Sequence, residues 1–467
     1  MTAKWGAITA GEIISPVQGE LISGRPESVL AGLSTDSRNI MPGQLFWALK
    51  GERYDGHNFL KQAVHMGAAG VVLKKGSHAK LTSTNGLVVI AVDDTLKALG
   101  DLAHWWRHQH TVQVAAITGS VGKTTTKEMA ASILGLDAVT LKNKGNFNNL
   151  VGLPLTLFLL EEAHGKAVLE MGMNRTGEIA RLTEIADPDV GLITNVGRAH
   201  LEGLGDIKGV ARAKAELLEK LSKDSQAVLN GDDELLMSVA SPVRKEVITY
   251  GLRAGNDIRA EKIQNLGREG VSFELKYFGH SEPIKLRIPG FQNVFNALGA
   301  SGIAICLKES PDHIVKGLNG FEGIKGRFML VSVPGGITLV DDTYNSNPSS
   351  LKAAFDSVKE LVVDTGRVII GLGEMLELGD ETVSAHLEAG SMVTALGAHY
   401  FVAIGEHAPE MIEGAVNKGF PPERAIEVAT PEEMVQKIKD VMKGGDLILL
   451  KGSRRMRLEK VAEELKG

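Results

Sequence analysis

The chain has 467 residues, enough for about three domains, and 43% of them are hydrophobic and 23% charged, as in ordinary globular proteins. Its 51 basic residues against 57 acidic ones, net −6, give no electrostatic footprint for a nucleic-acid partner. A single cysteine, Cys306, excludes an intramolecular disulfide framework and fits a reducing compartment.

No apolar run approaches the roughly 20 residues of a membrane span. The opening MTAKWGAITAGEII lacks the apolar stretch of a signal peptide. The expectation is a cytoplasmic protein.

Residues 1 to 108 hold strand-like pieces such as GQLFWALKG and GAAGVVL. Two polar runs, TDSR at 35–38 and ALKGERYDGHNF at 48–59, read as surface loops. A helical pattern, LKALGDLAHWWRHQH, closes the segment, with Trp105 and Trp106 expected to pack between domains. From 109 onward, apolar strands (TVQVAAIT, KAVLEMG, VGLITNV, QAVLNGD) alternate with helical segments, the pattern of a parallel sheet covered on both faces. Residues 257–288 instead alternate apolar and polar, which predicts an antiparallel patch, and FQNVFNALGASGIAICL reads as a helix that buries Cys306. After GIKGRF a third alternation begins: GITLVDD, GRVIIGLG, AHYFVAIG and GDLILLKGS are strands ending in Gly, Asp or Ser. The predicted fold is therefore α/β with three domains: 1–108, 109–327 and 328–467. The second is a parallel-sheet phosphate-loop domain and the third a Rossmann-like unit. Ligands of such sheets sit beyond the carboxyl ends of strands.

The first residues with evident chemistry follow TVQVAAIT. The run Thr118-Gly119-Ser120-Val121-Gly122-Lys123-Thr124-Thr125 is a glycine turn between a strand and a helix. Backbone N–H groups and the helix dipole there attract phosphate. A lysine neutralises phosphate charge, and the next threonine hydroxyl can ligate Mg²⁺. The strict pattern G-x-x-x-x-G-K-[ST] would require glycine at 117, where the chain has Ile117, so this is a shortened variant. Glu170 and His200 follow neighbouring strands; each is either a metal ligand or a satisfied polar residue. Lys214, in GVARAKAELLEKL, falls near the edge of a packed face marked by Ala211, Ala215 and Leu218, where a solvated lysine is the ordinary reading. Asp341 and Asp342 end a strand and can hold a metal, a ribose or a helix cap. Asn345, Ser346 and Asn347 read as turn and cap chemistry. Asn146, Asn148 and Asn149 precede an apolar run and suggest a polar groove.

In their order along nearly the whole chain, TGSVGKT, KGNFNNLVGLPLTL, LEMGMNRTGEI, ITNVGRAHLEGLGD, RAKAE, FQNVFNAL, GIKGRF, DDTYNSNPSS, GLGEMLELG and KGSRRMRLE resemble the Mur ligase family. DDTYNSNP with GEMLELG is similar to the branch that joins D-alanyl-D-alanine to UDP-N-acetylmuramoyl-tripeptide in peptidoglycan precursor synthesis. A sibling amino-acid-adding ligase, or folylpolyglutamate synthetase, would share the loop, Glu170, His200 and Lys214.

The resemblance implies ATP and two Mg²⁺ as cofactors, acting through an acyl phosphate, in a monomeric enzyme. It implies that Lys123, His200, Lys214 and Arg327 carry the catalysis. Thr118–Thr125, Asn293, Asn296, Arg327, Asp342 and Tyr344 would handle the nucleotide. Thr124, Glu170, His200 and a carbamylated Lys214 would ligate the metals. Ser34, Thr35, Asp36, Ser37, Arg38, Lys50, Asp55, His57, Asn58, Asn146, Asn148 and Asn149 would hold the UDP-sugar peptide.

Overall fold

Three β-sheets follow one another along the chain, each flanked by helices. The structure, a computed structural model, describes residues 3–81, 83–84, 86–244, 246–362 and 366–466.

The first sheet has six strands in the order Ala3–Thr9, Val29–Ser34, Leu45–Trp47, Gly70–Lys74, Val88–Val92, Glu20–Ser23. Its outer strands pair antiparallel and its inner ones parallel. VVIAV at 88–92 is buried at every position, as expected of a strand covered on both faces. Helix Thr95–His108 leads out of this sheet and is capped by Asp94, whose carboxylate accepts from the N–H groups of Leu96 and Lys97. Its Trp106 sits 5.9 Å from Trp5, which meets Phe158 edge-on at 5.6 Å. Arg107 Nε donates to the Ala186 carbonyl at 3.1 Å, and Arg181 pairs with Asp101. The tryptophans thus pack at the junction of the first two sheets, where rings of this size bury most area.

The central sheet has nine strands. Seven run parallel in the order Val139–Lys142, His164–Glu170, Gln113–Thr118, Val190–Ile193, Gln226–Asn230, Ile248–Gly251, Ile258–Asn265. Val271–Tyr277 and His280–Leu286 then extend it antiparallel. The predicted antiparallel patch is therefore the edge of the same sheet. Val271–Tyr277 alternates buried and half-buried residues because only one of its faces is covered, by helices such as Gln292–Cys306. At the middle of the sheet, the carboxyl ends of Gln113–Thr118, His164–Glu170 and Val190–Ile193 lie side by side. That adjacency brings residues 118, 170 and 194 together.

The third sheet has the order Met329–Val333, Ile337–Asp342, Leu447–Lys451, Val368–Gly373, Tyr400–Ile404, Ala425–Val428, parallel after the first pair.

Two expectations from spacing differ from the structure. Lys214 is not at the edge of a packed face. Helix Ile207–Lys220 is buried on nearly all sides from Gly209 to Leu218, and Lys214 is 1% exposed. Periodicity marked one face, but the helix is also covered from its other side. Cys306, near the end of its helix, is half-buried rather than fully enclosed.

Candidate active site

The glycine turn leaves strand Gln113–Thr118 and enters helix Lys123–Leu134. Gly119 and Gly122 have φ of 149° and 88°. A Cβ on Gly119 would run into Thr194 Oγ1, and one on Gly122 into Asn296 Oδ1. Both positions need glycine for backbone conformation and for close approach.

The strand end at 194–197 fixes the turn. Thr194 Oγ1 and Asn195 Nδ2 both donate to the Val121 carbonyl, at 2.7 and 2.9 Å. Asn195 Oδ1 accepts from Val121 N, and Ser120 Oγ donates to the Gly197 carbonyl at 3.0 Å. Behind them, Asn230 Nδ2 and the Tyr250 hydroxyl hold the Thr194 carbonyl. Burial, with Asp233 and Asp232 nearby, raises the Tyr250 phenol well above its ordinary pKa and keeps it a donor.

Lys123 folds back so that Nζ donates to the Gly119 carbonyl at 2.6 Å. Desolvation lowers its pKa, opposed by Glu170, reinforced by Arg327, and again opposed by Glu377. Thr124 Oγ1 donates to Glu170 Oε2 at 2.8 Å and accepts from Arg327 Nη2 at 3.1 Å. Asn148 Nδ2 holds the other Glu170 oxygen at 3.0 Å. Asn143 bonds the Glu170 backbone in both directions, at 3.0 and 2.8 Å. Two buried polar atoms here lack a protein partner, Thr118 Oγ1 and Arg327 Nε. Orphaned donors lining a phosphate loop fit an anionic ligand.

Asn296 rests against Gly122, accepts from Thr126 Oγ1, and donates to Asn293. Arg327 stacks on Tyr344 at 4.0 Å. Asp342 accepts from Lys451 Nζ at 2.7 Å and from Phe328 N at 3.2 Å. His200 Nδ1 meets Glu377 Oε2 of the third domain at 2.6 Å. That bond pulls the Glu377 carboxyl below its usual range. His200 and Glu377 both have left-handed backbones, φ 56° and 64°, at the seam between domains. Nearby, Arg198 pairs with Glu381 and Glu388 across the same seam.

Lys214 is enclosed, and its pKa is lowered well below the ordinary value by burial and then by Lys123. Among the described residues no carboxylate compensates it. Burial beside a second cation favours the neutral amine of Lys214. As to metal, no group of three or more His, Cys, Asp or Glu converges among the described residues. The donor set is a hydroxyl, one carboxylate and one imidazole, which suits Mg²⁺ only with phosphate oxygens and water completing the shell.

The residues expected to hold the UDP-sugar peptide are largely tied to one another or to their neighbours. Asp36 binds Arg38 through Nε and Nη2 at 2.9 and 2.8 Å, which holds its carboxyl down to about 2. Ser34 Oγ donates to the Asp36 carbonyl, and Ser37 Oγ to Gln62. Thr35 lies between them on the same turn. Lys50 bridges to Asp55 through the backbone. Asp55 Oδ1 accepts from His57 N and meets His57 Nδ1 at 2.6 Å, while His57 Nε2 accepts from Lys74 N. His57 therefore fastens the 48–59 loop to the neighbouring strand. Asn58 accepts from Lys80, Asn149 caps the turn at 151–152, and Asn146 is exposed. Only Asn148 among these reaches the phosphate-loop cluster, through Glu170. Thr194, Asn195, Asn143 and Glu377 were not singled out from sequence. The signal was present for three, since Thr194 and Asn195 lie in ITNVGRAH and Glu377 in GLGEMLELG.

A glycine phosphate loop on a parallel sheet, reached by Arg327 from the junction with a second doubly wound domain, defines a nucleotide-dependent enzyme. The chain belongs to the Mur ligase family. Models of the Mur ligase family catalytic domain, the Mur ligase middle domain and the Mur ligase glutamate ligase domain match residues 29–107, 117–304 and 326–454. The chain is 36% identical over 458 residues to the UDP-N-acetylmuramoyl-tripeptide–D-alanyl-D-alanine ligase of Bacillus subtilis, covering 98% of each chain. It is 33% identical to the enzyme of that name from Escherichia coli, again covering 98% of each. A crystal structure of MurF from Acinetobacter baumannii superposes with a TM-score of 0.89 at 32% identity, over 99% of both chains. A MurF ligase of Thermotoga maritima in complex with ADP gives 0.82 at 26% identity, over 93% of this chain and 96% of that one.

Proposed function

We infer that this protein is an ATP-dependent ligase that joins D-alanyl-D-alanine to UDP-N-acetylmuramoyl-tripeptide in peptidoglycan precursor synthesis. The observation that carries the reading is the convergence of Lys123, Thr124 and Glu170 from the central sheet with Arg327 at the domain junction, on full-length relatives that bear this name. We further propose the domain division 1–108, 109–327 and 328–467, action as a monomer in the cytoplasm, and binding of the UDP-sugar peptide by the first domain.

A carboxylate resists amine attack because its charge repels the nucleophile and oxide is a poor leaving group. The terminal carboxylate of the tripeptide attacks the γ-phosphorus of ATP, forming an acyl phosphate and releasing ADP. The neutral amine of the dipeptide then attacks the acyl carbon, and the tetrahedral intermediate expels phosphate. Lys123 leaves the Gly119 carbonyl for the phosphates, and the loop N–H groups hold them. Arg327 turns its orphaned Nε to the transferring group, braced by Tyr344. Asn293, Asn296 and Asp342 border the nucleotide. These groups act by positioning and charge neutralisation.

Mg²⁺ would be held by Thr124 and Glu170, with a second ion at His200 and a carbamate on Lys214, and supplies charge neutralisation at the phosphates. For the carbamate, ¹³C-bicarbonate should give one carbamate carbon resonance that Lys214→Met abolishes.

The deciding experiment is phosphate release with UDP-N-acetylmuramoyl-tripeptide carrying ¹⁸O in its terminal carboxylate. Release that requires both acceptors, with ¹⁸O appearing in the phosphate, is the expected result. Phosphate release independent of the dipeptide, or free of label, would refute it.

A further inference from the structure

The loop between strand Val368–Gly373 and helix Thr382–Ala395 carries Glu377, which reaches His200 across the domain seam. Its backbone is fastened residue by residue to different parts of the chain. Glu374 N donates to the Ile404 carbonyl at 3.1 Å, and Leu376 N to Ser453 Oγ at 3.0 Å. The Glu377 carbonyl accepts from Glu202 N, on the far side of the seam, at 3.3 Å. Between these anchors, Met375 N donates to Nε2 of His386 at 2.9 Å. Glu377 has φ 64°, a conformation that a non-glycine residue keeps only where its surroundings impose it.

His386 is fully buried, and both its ring nitrogens are engaged. Nδ1 lies 2.6 Å from the Thr382 carbonyl, which can only accept, so Nδ1 carries the proton. Nε2 faces an N–H, which can only donate, so it carries none. The two partners together require one neutral tautomer. The other three backbone anchors are a carbonyl, a hydroxyl and an N–H, none of which titrates; His386 is the one that changes charge near neutrality. The titratable groups facing its ring are His407, with ring centres 4.8 Å apart, and the carboxylates of Glu374 and Glu410. Glu374 Oε2 is already engaged by Glu406 N at 2.9 Å. Burial lowers the His386 pKa; the Thr382 carbonyl opposes that, His407 adds to it, and the two carboxylates oppose it. A second proton on the ring would set two donors face to face at Met375.

We propose that His386 is a positioning residue for ligation: its neutral imidazole holds the 374–377 turn so that Glu377 meets His200. This rests on the ligase reading above. Glu377 takes Nδ1 of His200 and leaves Nε2 for the ion proposed there, the way a carboxylate orients a metal-binding histidine. When His386 gains a proton, Met375 N loses its acceptor, the turn slackens and Glu377 leaves the seam.

Two replacements separate the roles of the ring nitrogens. His386→Gln puts a non-titrating amide oxygen near the Nε2 position and keeps an acceptor for Met375 N. His386→Asn reaches only the Nδ1 position, so it keeps the Thr382 bond and leaves Met375 N bare. Amide hydrogen exchange at 374–377, compared at equal pH, should be faster by about 10-fold or more in His386→Asn, with strand Val368–Gly373 unchanged. Its kcat should fall by a similar factor, and His386→Gln should restore both. The ratio of wild-type to His386→Gln kcat should be flat above about pH 7 and fall below about 6.5, the free-histidine value. The folded value is depressed, so the contact is complete above the free value and is lost as pH falls from it toward the folded one. The dipeptide amine and His200 titrate in both proteins and cancel from the ratio. A ratio that stays flat down to pH 5.5, or wild-type exchange at 374–377 in His386→Asn, would overturn the assignment. So would loss of protection in Val368–Gly373 as large as in the turn, which is unfolding of the sheet. Should His386→Asn fail to fold, the ratio with His386→Gln decides. If wild type forms no amide bond at all, the ligase reading itself has failed, while the exchange result still judges what His386 holds.

Discussion

Replacing Lys451 with methionine should destabilise the third domain by about 3–5 kcal/mol. Lys451 is 2% exposed, and its ammonium has two partners, Asp342 Oδ2 at 2.7 Å and the Asn345 carbonyl at 3.1 Å. Burial lowers its pKa, Asp342 opposes that, and Arg327 adds to it. Without the cation, the Asp342 carboxylate keeps, among the described residues, only the Phe328 N–H, at 3.2 Å, in surroundings where its side chain is 12% exposed. An uncompensated buried charge costs far more than the net worth of the pair. The double variant Lys451→Met/Asp342→Leu should therefore lie within about 1–2 kcal/mol of wild type, recovering about 3 kcal/mol of the loss in Lys451→Met. Native-state hydrogen exchange on Ile337–Asp342 and Leu447–Lys451 reads this directly, because 3 kcal/mol is a factor of more than 100 in protection. Additive costs in the double variant would refute the argument. Since Asp342 also receives the backbone N–H next to Arg327, Lys451→Met should lower kcat as well.

Gly122→Ala should raise KM for ATP by 10-fold or more and leave affinity for the UDP-sugar peptide intact; the strain at φ 88° and the contact with Asn296 both act on the loop. Steady-state kinetics in each substrate checks it. Lys214→Ala should abolish ligation, with bicarbonate or short carboxylic acids restoring part of the rate in a rescue assay. Lys214→Met, without bicarbonate, should stabilise the central domain: the folded pKa is depressed, so the wild-type lysine opposes folding at pH values below about 10.4, the free-lysine pKa. The gain in urea unfolding should be largest at low pH and shrink by about 1.4 kcal/mol per pH unit as pH rises from the folded pKa toward the free value. Cys306, pushed up to about 12 by burial, should resist thiol reagents at pH 8 in the native state and react promptly in denaturant.

The alternation of apolar strands and helices was legible because a parallel strand buried on both faces cannot hide its composition, as VVIAV and LILLK illustrate. The glycine turn was legible because its backbone demands are local: a positive φ and a missing Cβ are properties of single positions. The short antiparallel strands were also foreseen, but not their continuity with the central sheet, since pairing across an edge leaves no mark within a strand.

By itself, the sequence determined the element pattern, the phosphate turn and the order of motifs. Only the tertiary structure decided what each polar residue touches. Lys214 reads as an ordinary helix lysine until neighbours on every side bury it, and Asp342 as one of two equivalent carboxylates until Lys451, 109 positions away, pairs with it. His57 and Asp36 look free in sequence, yet Asp36 is engaged within its own loop and His57 both with Asp55 and with Lys74 of the neighbouring strand. The bond of His200 to Glu377 spans 177 positions, and the Tyr344 ring, shared by Arg327 and Arg454, joins residues from two domains. Electrostatic and hydrogen-bond energies depend on distance and dielectric in space, and a one-dimensional spacing carries neither.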